Sequence, residues 1–356
     1  MAYTNIDDPS AYFQTATWSG NGSTQSITFD GNSDMQPDWV WSKPRGIAFN
    51  HTVQDSSRGV GASGPSLPPN LANAEYVPGD YVMSLDSDGF SVGAGDAGFN
   101  ASNDTYVSWC WKNNGGTTSS NTAGNVTNTL QANTTAGFSI STFTSASSGN
   151  TTFGHGLGVT PAMFILKARN QGYGWWINHK ALSNQNDQYL GLHTTGDVAT
   201  VSWGAAPTST LITASQAFTG AGTSMICYAF AEIQGYSKFG KYTGTGSSTE
   251  SYRHGPFIYT GFKPAFFMAK RTDNTGNWLI FDNKRGEFNL NDNYFYGNDN
   301  STEGTSTTQG VDFLSNGIKI RNTYNDAGAS NATYIYMAFA ENPFVTSTGI
   351  TNTAEF

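Results

Sequence analysis

A chain of 356 residues has room for two or three domains, and its net charge of −9 with only 12% charged residues argues against nucleic acid, whose phosphates favour a basic face. Aromatic residues at 14% separate it from disordered chains of equally low charge. No apolar run approaches the roughly 18–20 residues of a membrane span, and the N-terminus lacks the basic region and apolar core of a secretory signal.

Strand signals begin at residues 23–29, which alternate polar and apolar, while no window shows a sustained 3.6-residue period. A phrase then follows that occurs three times: Pro37-Asp-Trp-Val-Trp-Ser-Lys43, Pro161-Ala-Met-Phe-Ile-Leu-Lys167 and Pro264-Ala-Phe-Phe-Met-Ala-Lys270. The register holds around it. Fourteen residues past each proline stand His51, Trp175 and Trp278, and eighteen past stand Asp55, His179 and Asp282. Phe13, Phe138 and Phe239 precede the prolines by 24, 23 and 25 residues. Each unit closes on an apolar segment ending at Trp111, Phe230 or Phe339. A period of roughly 105–125 residues predicts three copies of one domain.

In repeat one, residues 83–92 are two short strands around an Asp- and Gly-rich turn, a hairpin signal, and residues 314–320 repeat it in repeat three with Asn-Gly at the turn. Repeat two lacks the hairpin and carries Ala206-Pro-Thr-Ser-Thr210 there. Residues 113–135, rich in Asn, Gly, Ser and Thr, read as a linker, part of which can form an edge strand. The expected fold is all-β: three tandem antiparallel β-sandwiches of jelly-roll or concanavalin-like form over 1–115, 130–233 and 234–346. A linker at 116–129 and a polar tail at 347–356 complete the chain. Cys110 and Cys227 fall at non-equivalent positions, so buried thiols are expected in place of a disulfide or a metal site.

Several residue groups invite a chemical reading. Asp55-x-x-Arg58-Gly59 and Asp282-x-x-Arg285-Gly286 fit a turn clipped by an ion pair, with glycine supplying a positive φ. Asp55 with Glu75 and Asp282 with Glu303 would suit a glycosidase, but repeat two has His179 and Leu182 in the first two places. Gly154-His-Gly-Leu-Gly158 lacks the Lys-Ser/Thr of a phosphate loop and fits a turn. Asp86-Ser-Asp88 and the stretch 291–300, with Asp292 and Asp299, carry oxygen ligands without the spacing of a calcium loop. Trp175 and Trp176 are adjacent on a strand, so one of them should face outward or toward another subunit. Candidate surface-contact residues are therefore Trp175, Trp176, Asp292 and Asp299. No catalytic, cofactor-binding or metal-binding residue is expected, and no cofactor.

Several segments carry a family likeness. Ala2-Tyr-Thr-Asn-Ile-Asp-Asp-Pro-Ser-Ala-Tyr-Phe-Gln14, Gln36-Pro-Asp-Trp-Val-Trp41, Gly154-His-Gly-Leu-Gly-Val159, Phe230-Ala-Glu-Ile-Gln-Gly-Tyr-Ser-Lys-Phe-Gly240 and Tyr336-Met-Ala-Phe-Ala-Glu-Asn-Pro-Phe344 resemble repeat-built virion proteins of marine and cyanobacterial tailed phages. Such proteins are tail fibre, fibril or structural proteins with concanavalin-like (lectin- or laminin-G-like) units. The resemblance implies a non-enzymatic bacteriophage structural protein, made in the host cytoplasm and exposed on the virion, with host adhesion through surface polysaccharide. Alternatives are capsid or tail decoration without receptor binding and, remotely, a polysaccharide depolymerase. Expected partners are other virion proteins and further copies of the chain, with a homo-trimer favoured and sandwich faces as the contact. Neither nucleic acid nor membrane insertion is expected.

Overall fold

The computed structural model describes residues 3–246, 255–286 and 288–352. The chain is all-β and its sheets are antiparallel. Among the described residues, the helical elements are a 3₁₀ turn, Pro9–Ala11, and a four-residue helix, Gln216–Thr219, capped by the Ser215 hydroxyl.

Each repeat contributes one large sheet with the same core order. In repeat one it runs Phe13–Ser19, Thr105–Trp111, Trp39–Pro44, Thr52–Asp55. In repeat two the matching strands are Phe138–Thr144, Ser224–Phe230, Met163–Ala168 and Trp175–His179, continued by Gln188–Gly191 and Ala199–Thr200. In repeat three they are Ser237–Thr243, Thr333–Pro343, Phe262–Arg271 and Trp278–Asp282, continued by Asn293–Tyr296 and Gly304–Thr305. The stretch read as a linker is structured. Ser119–Asn121 and Asn128–Asn133 extend the second sheet beyond Phe138–Thr144.

The register of the motif is the register of the sheets. The residue two past each proline pairs with the closing aromatic and with the residue eighteen past the proline. Trp39 thus pairs with Trp111 and Asp55, Met163 with Phe230 and His179, and Phe266 with Phe339 and Asp282. The first strands follow a looser rule. Phe13 and Phe138 lie opposite the closing aromatics, whereas Phe339 is opposite Ser237 and Phe239 opposite Met337. A slip of two residues keeps Phe239 on the same face, because side chains alternate with a period of two.

A small sheet covers one face of each large one. Gln25–Ile27, Gly89–Val92 and Val82–Asp86 form it in repeat one, and Phe257–Tyr259, Gly317–Asn322 and Gln309–Leu314 in repeat three. Repeat two keeps only Thr151–Gly154 and Leu211–Ala214, consistent with its missing hairpin. Between the layers of repeat one lie Val40, Phe90, Phe99 and Cys110. Phe153, Phe164, Trp203 and Cys227 fill the same space in repeat two, and Phe267, Leu279, Ile318 and Tyr336 in repeat three. Both cysteines are free thiols, and burial raises their pKa values.

The other faces of all three large sheets pack into one shared core. Trp39, Trp41, Trp109 and Trp111 of repeat one meet Phe138, Met163, Trp175, Tyr228 and Phe230 of repeat two and Phe239, Phe266, Trp278 and Phe339 of repeat three. At its centre the three closing aromatics form a triangle. Ring centroids are 6.5 Å apart for Trp111–Phe230, 5.9 Å for Phe230–Phe339 and 5.5 Å for Trp111–Phe339. Each such ring buries enough surface to contribute about 1.5–3 kcal/mol. One chain therefore builds an internal threefold arrangement.

Candidate functional site

Titratable groups gather at the three seams where repeats meet, and the repeat pattern explains why. Lys43, Lys167 and Lys270 stand at alternate positions from the inward-facing Trp41, Ile165 and Met268, so they too point inward at the rim of the shared core. All three are fully buried. Their ammonium groups donate to backbone carbonyls: Pro44 at 2.9 Å and Ile47 at 3.5 Å from Lys43, Ala168 at 2.5 Å and Gln171 at 3.3 Å from Lys167, Arg271 at 2.9 Å and Thr195 at 3.2 Å from Lys270. Burial pulls each pKa down to about 8.

The residue fourteen past each proline ties its repeat to the preceding one around the ring. Trp175 Nε1 donates to Pro68 O at 3.0 Å, and Trp278 Nε1 to Gly191 O at 2.9 Å. His51 Nδ1 accepts from Trp41 Nε1 at 3.0 Å, which leaves Nε2–H to donate to Tyr296 O at 3.1 Å. The cycle closes: repeat two on one, three on two, one on three.

The residue eighteen past each proline completes two of the seams with a charged network. Asp55 Oδ2 accepts from Arg58 Nε at 2.6 Å and from Tyr228 Oη of repeat two at 2.7 Å. Glu75 approaches Arg58 Nη1 at 3.6 Å and receives a bidentate pair from Arg169 of repeat two, both bonds 2.9 Å. The seam from three to one repeats this. Asp282 Oδ2 accepts from Arg285 Nε at 2.6 Å and from Trp109 Nε1 of repeat one at 2.8 Å. Glu303 binds Arg285 Nη1 at 3.1 Å and Arg45 of repeat one at 3.0 and 2.8 Å. At the seam from two to three stands His179. Its Nδ1 accepts from Ala181 N at 3.1 Å, so Nε2–H donates to Tyr336 O at 3.1 Å, and burial lowers its pKa to about 4.

These bonds reassign several sequence candidates. The carboxylates with glycosidase spacing are held by arginines on both sides of a seam. In the first clip Gly59 does have a positive φ, of 90°. Gly286 does not; there a Cβ would lie 2.9 Å from Asn291 Oδ1 and would press on the buried Asn291 side chain. The Asn-rich stretch serves the same clip: Asn291 Nδ2 donates to Asp282 O at 2.5 Å and Asn293 Nδ2 to Arg285 O at 2.5 Å. Asp292 is half-buried and offers its carbonyl to Ser306 N at 3.1 Å. Asp299 accepts from Ser301 N and Oγ at 2.5 Å, and its charge lies near Lys43. Among the described residues no three His, Cys, Asp or Glu side chains converge as metal ligands.

Neither neighbouring tryptophan stands free. Trp175 is fully buried in the shared core, and Trp176, half-buried, packs against Tyr189, His193 and Phe218. An alternation argument assigns one of the pair to solvent only if one sheet face is wet, and here both faces are covered.

Two open cavities mark the surface near the chain ends. One of about 190 Å³ lies between repeats one and three, with Gln14, Asp30, Asn283, Lys284 and Glu341 on its walls. The other, of about 310 Å³, is lined by Tyr3, Glu232, Gln234, Lys238, Tyr259 and Thr260. The sequence pattern assigned none of these residues a binding role, although Tyr3, Gln14, Glu232, Gln234, Lys238 and Glu341 fall in the segments that carry the family likeness.

Fold and seams together define an antiparallel all-β protein whose three repeats close around a common core. Residues 8–343 match a domain family of unknown function, DUF7483, and the chain belongs to that family. No curated protein and no solved structure matches it.

Proposed function

We propose that this chain is a non-enzymatic virion protein of a tailed phage, exposed on the particle and serving as a tail fibre, fibril or adhesin toward host-surface glycans. We further propose that its three sheet pairs are three copies of one concanavalin-like sandwich, over about 1–115, 130–233 and 234–346. The observation that carries the non-catalytic reading is the use of the carboxylates. Asp55, Glu75, Asp282 and Glu303 are each held by arginine, Glu75 and Glu303 by one across a seam, while Asp55 and Asp282 accept from Tyr228 and Trp109 of the adjoining repeat, so all four fasten repeats together. A scaffold fastened in this way leaves its outer loops free for recognition. The sequence resemblance supports the virion location.

One observation favours the second reading, capsid or tail decoration. Three repeats gathered around one core make a compact body and not an extended shaft. The threefold contact expected between chains is already present inside one, so self-assembly would use the outer faces. Localisation in a particle map separates fibre from decoration. Failure of the purified chain to bind any host polysaccharide or host cell would sink adhesion. Light scattering near 38 kDa would identify a single chain as the soluble unit.

A further inference from the structure

The three repeats act as internal controls for one another, and one surface departs from the pattern. In each small sheet an inward apolar pair holds the first strand: Ile27 with Phe90, Phe153 with Ile212, Ile258 with Ile318. The residues flanking the inward one lie on the outer face. They are Ser26 and Thr28 in repeat one, both exposed, and Thr152 and Gly154 in repeat two, where Asn125 and Asn121 pack against them and Gly154 is buried. In repeat three they are Phe257 and Tyr259, 46% and 54% exposed. The strand forms with small or polar residues at these positions, so its geometry does not require two rings in solvent.

Tyr259 borders the 310 Å³ cavity, where Tyr3 stands beside it with the hydroxyls 3.5 Å apart, and Phe257 lies two residues away on the same face of the strand, beside Gly317. Tyr3 Oη donates to Gly261 O at 2.7 Å, so Tyr259 is the donor between the two hydroxyls and its oxygen stays open to accept from a ligand. Gln234 is exposed at the rim. The one carboxylate of the lining, Glu232, is bonded by Lys180 and Lys238, so the ionic groups there are already paired.

We propose that Phe257, Tyr259, Tyr3 and Gln234 form a binding site for a neutral oligosaccharide, with the rings stacking on sugar C–H faces and the amide and phenol bonding hydroxyls. This rests on the glycan-adhesion reading and gives it a location. An anionic sugar is disfavoured because, among the described residues, no unpaired cation lines the cavity, and the chain carries a net charge of −9. A protein partner is disfavoured because two or three rings broken by polar groups fall short of the ~800 Å² per partner of a stable interface.

The test uses the full chain on an array of neutral and of sulfated or uronic-acid oligosaccharides, followed by titration with the strongest neutral ligand. Phe257→Ser with Tyr259→Thr installs the outward residues of repeat one, and should weaken binding at least about tenfold while leaving Tm within about 2 °C. Gln234→Ala, at an exposed side chain, should weaken binding on its own and keeps the test open if the double variant folds poorly. Undiminished binding by both variants overturns the site and leaves adhesion to another surface. Preference for acidic sugars also overturns it. An array with no signal for the unaltered chain overturns the site and the adhesion reading together.

Discussion

The seams from repeat one to two and from three to one are closed by Asp–Arg–Glu–Arg networks, while the seam from two to three is closed by a histidine and the backbone. The difference traces to the neighbour. Trp109, Tyr228 and Met337 occupy one position of the closing strand, pairing with Trp41, Ile165 and Met268. Tyr228 and Trp109 each donate to the buried acid of the adjoining repeat, Asp55 and Asp282. Met337 has no donor. A carboxylate in place of His179 would lose that bond, and Leu182 stands where the arginine would be. Burying an underbonded charge costs several kcal/mol, so a neutral imidazole that satisfies both its nitrogens is the better occupant. A buried acid persists here only where the next repeat supplies a hydrogen.

The comparison breaks most severely at Asp282. Changing it to Ala leaves Arg285 buried without its carboxylate and Trp109 without an acceptor, an expected loss of about 3–5 kcal/mol in urea unfolding. Asp55→Ala should behave alike. Replacing Asp55 by His together with Arg58 by Leu copies the third seam, and should cost less than Asp55→Ala alone because no charge is stranded. A double variant less stable than the single one would overturn this account.

The third seam adds a pH dependence of its own, beside that of the buried His51 at the seam from three to one. The unfolded chain protonates His179 near 6.5 and the folded chain only near 4. Stability from this residue is therefore complete above pH 6.5 and declines as pH falls toward 4, by roughly 3 kcal/mol. The difference between the unaltered chain and His179→Gln, followed by unfolding at each pH, isolates that loss from the other histidines. Equal pH slopes would refute it.

The rim of the charged seams should matter least. Glu75 and Arg169 keep 22% and 26% of their side-chain surface exposed. Glu75→Gln should cost at most about 1 kcal/mol, and less in 1 M salt, by thermal unfolding. A loss as large as that of Asp55→Ala would place Glu75 inside the network and not at its edge.

Much of this was legible in the chain. The Pro–Lys phrase, the residues eighteen past the proline and the closing aromatics mark real pairing partners, since a sheet register repeats whenever its sequence does. The hairpins and the gap in repeat two were legible for the same reason, because turn chemistry is local. The slip of Phe239 was not, as a two-residue shift preserves the face and leaves no trace in the pattern. One signal for the shared core was present. Tyr106-Val-Ser-Trp-Cys-Trp111, Met225-Ile-Cys-Tyr-Ala-Phe230 and Tyr334-Ile-Tyr-Met-Ala-Phe339 are apolar with little alternation, which is how strands covered on both faces read.

By itself, then, the sequence determined the all-β class, the threefold repetition and the local register, all of which depend on neighbours along the chain and across a hairpin. Only the tertiary structure decided that the three large sheets face one another. That choice converted Asp55, Asp282 and His179 from turn residues into fasteners, buried the lysines, and enclosed Trp175. Whether a strand face meets solvent or another sheet depends on contacts between residues a hundred or more positions apart, and a periodicity of two cannot encode which surface lies beyond.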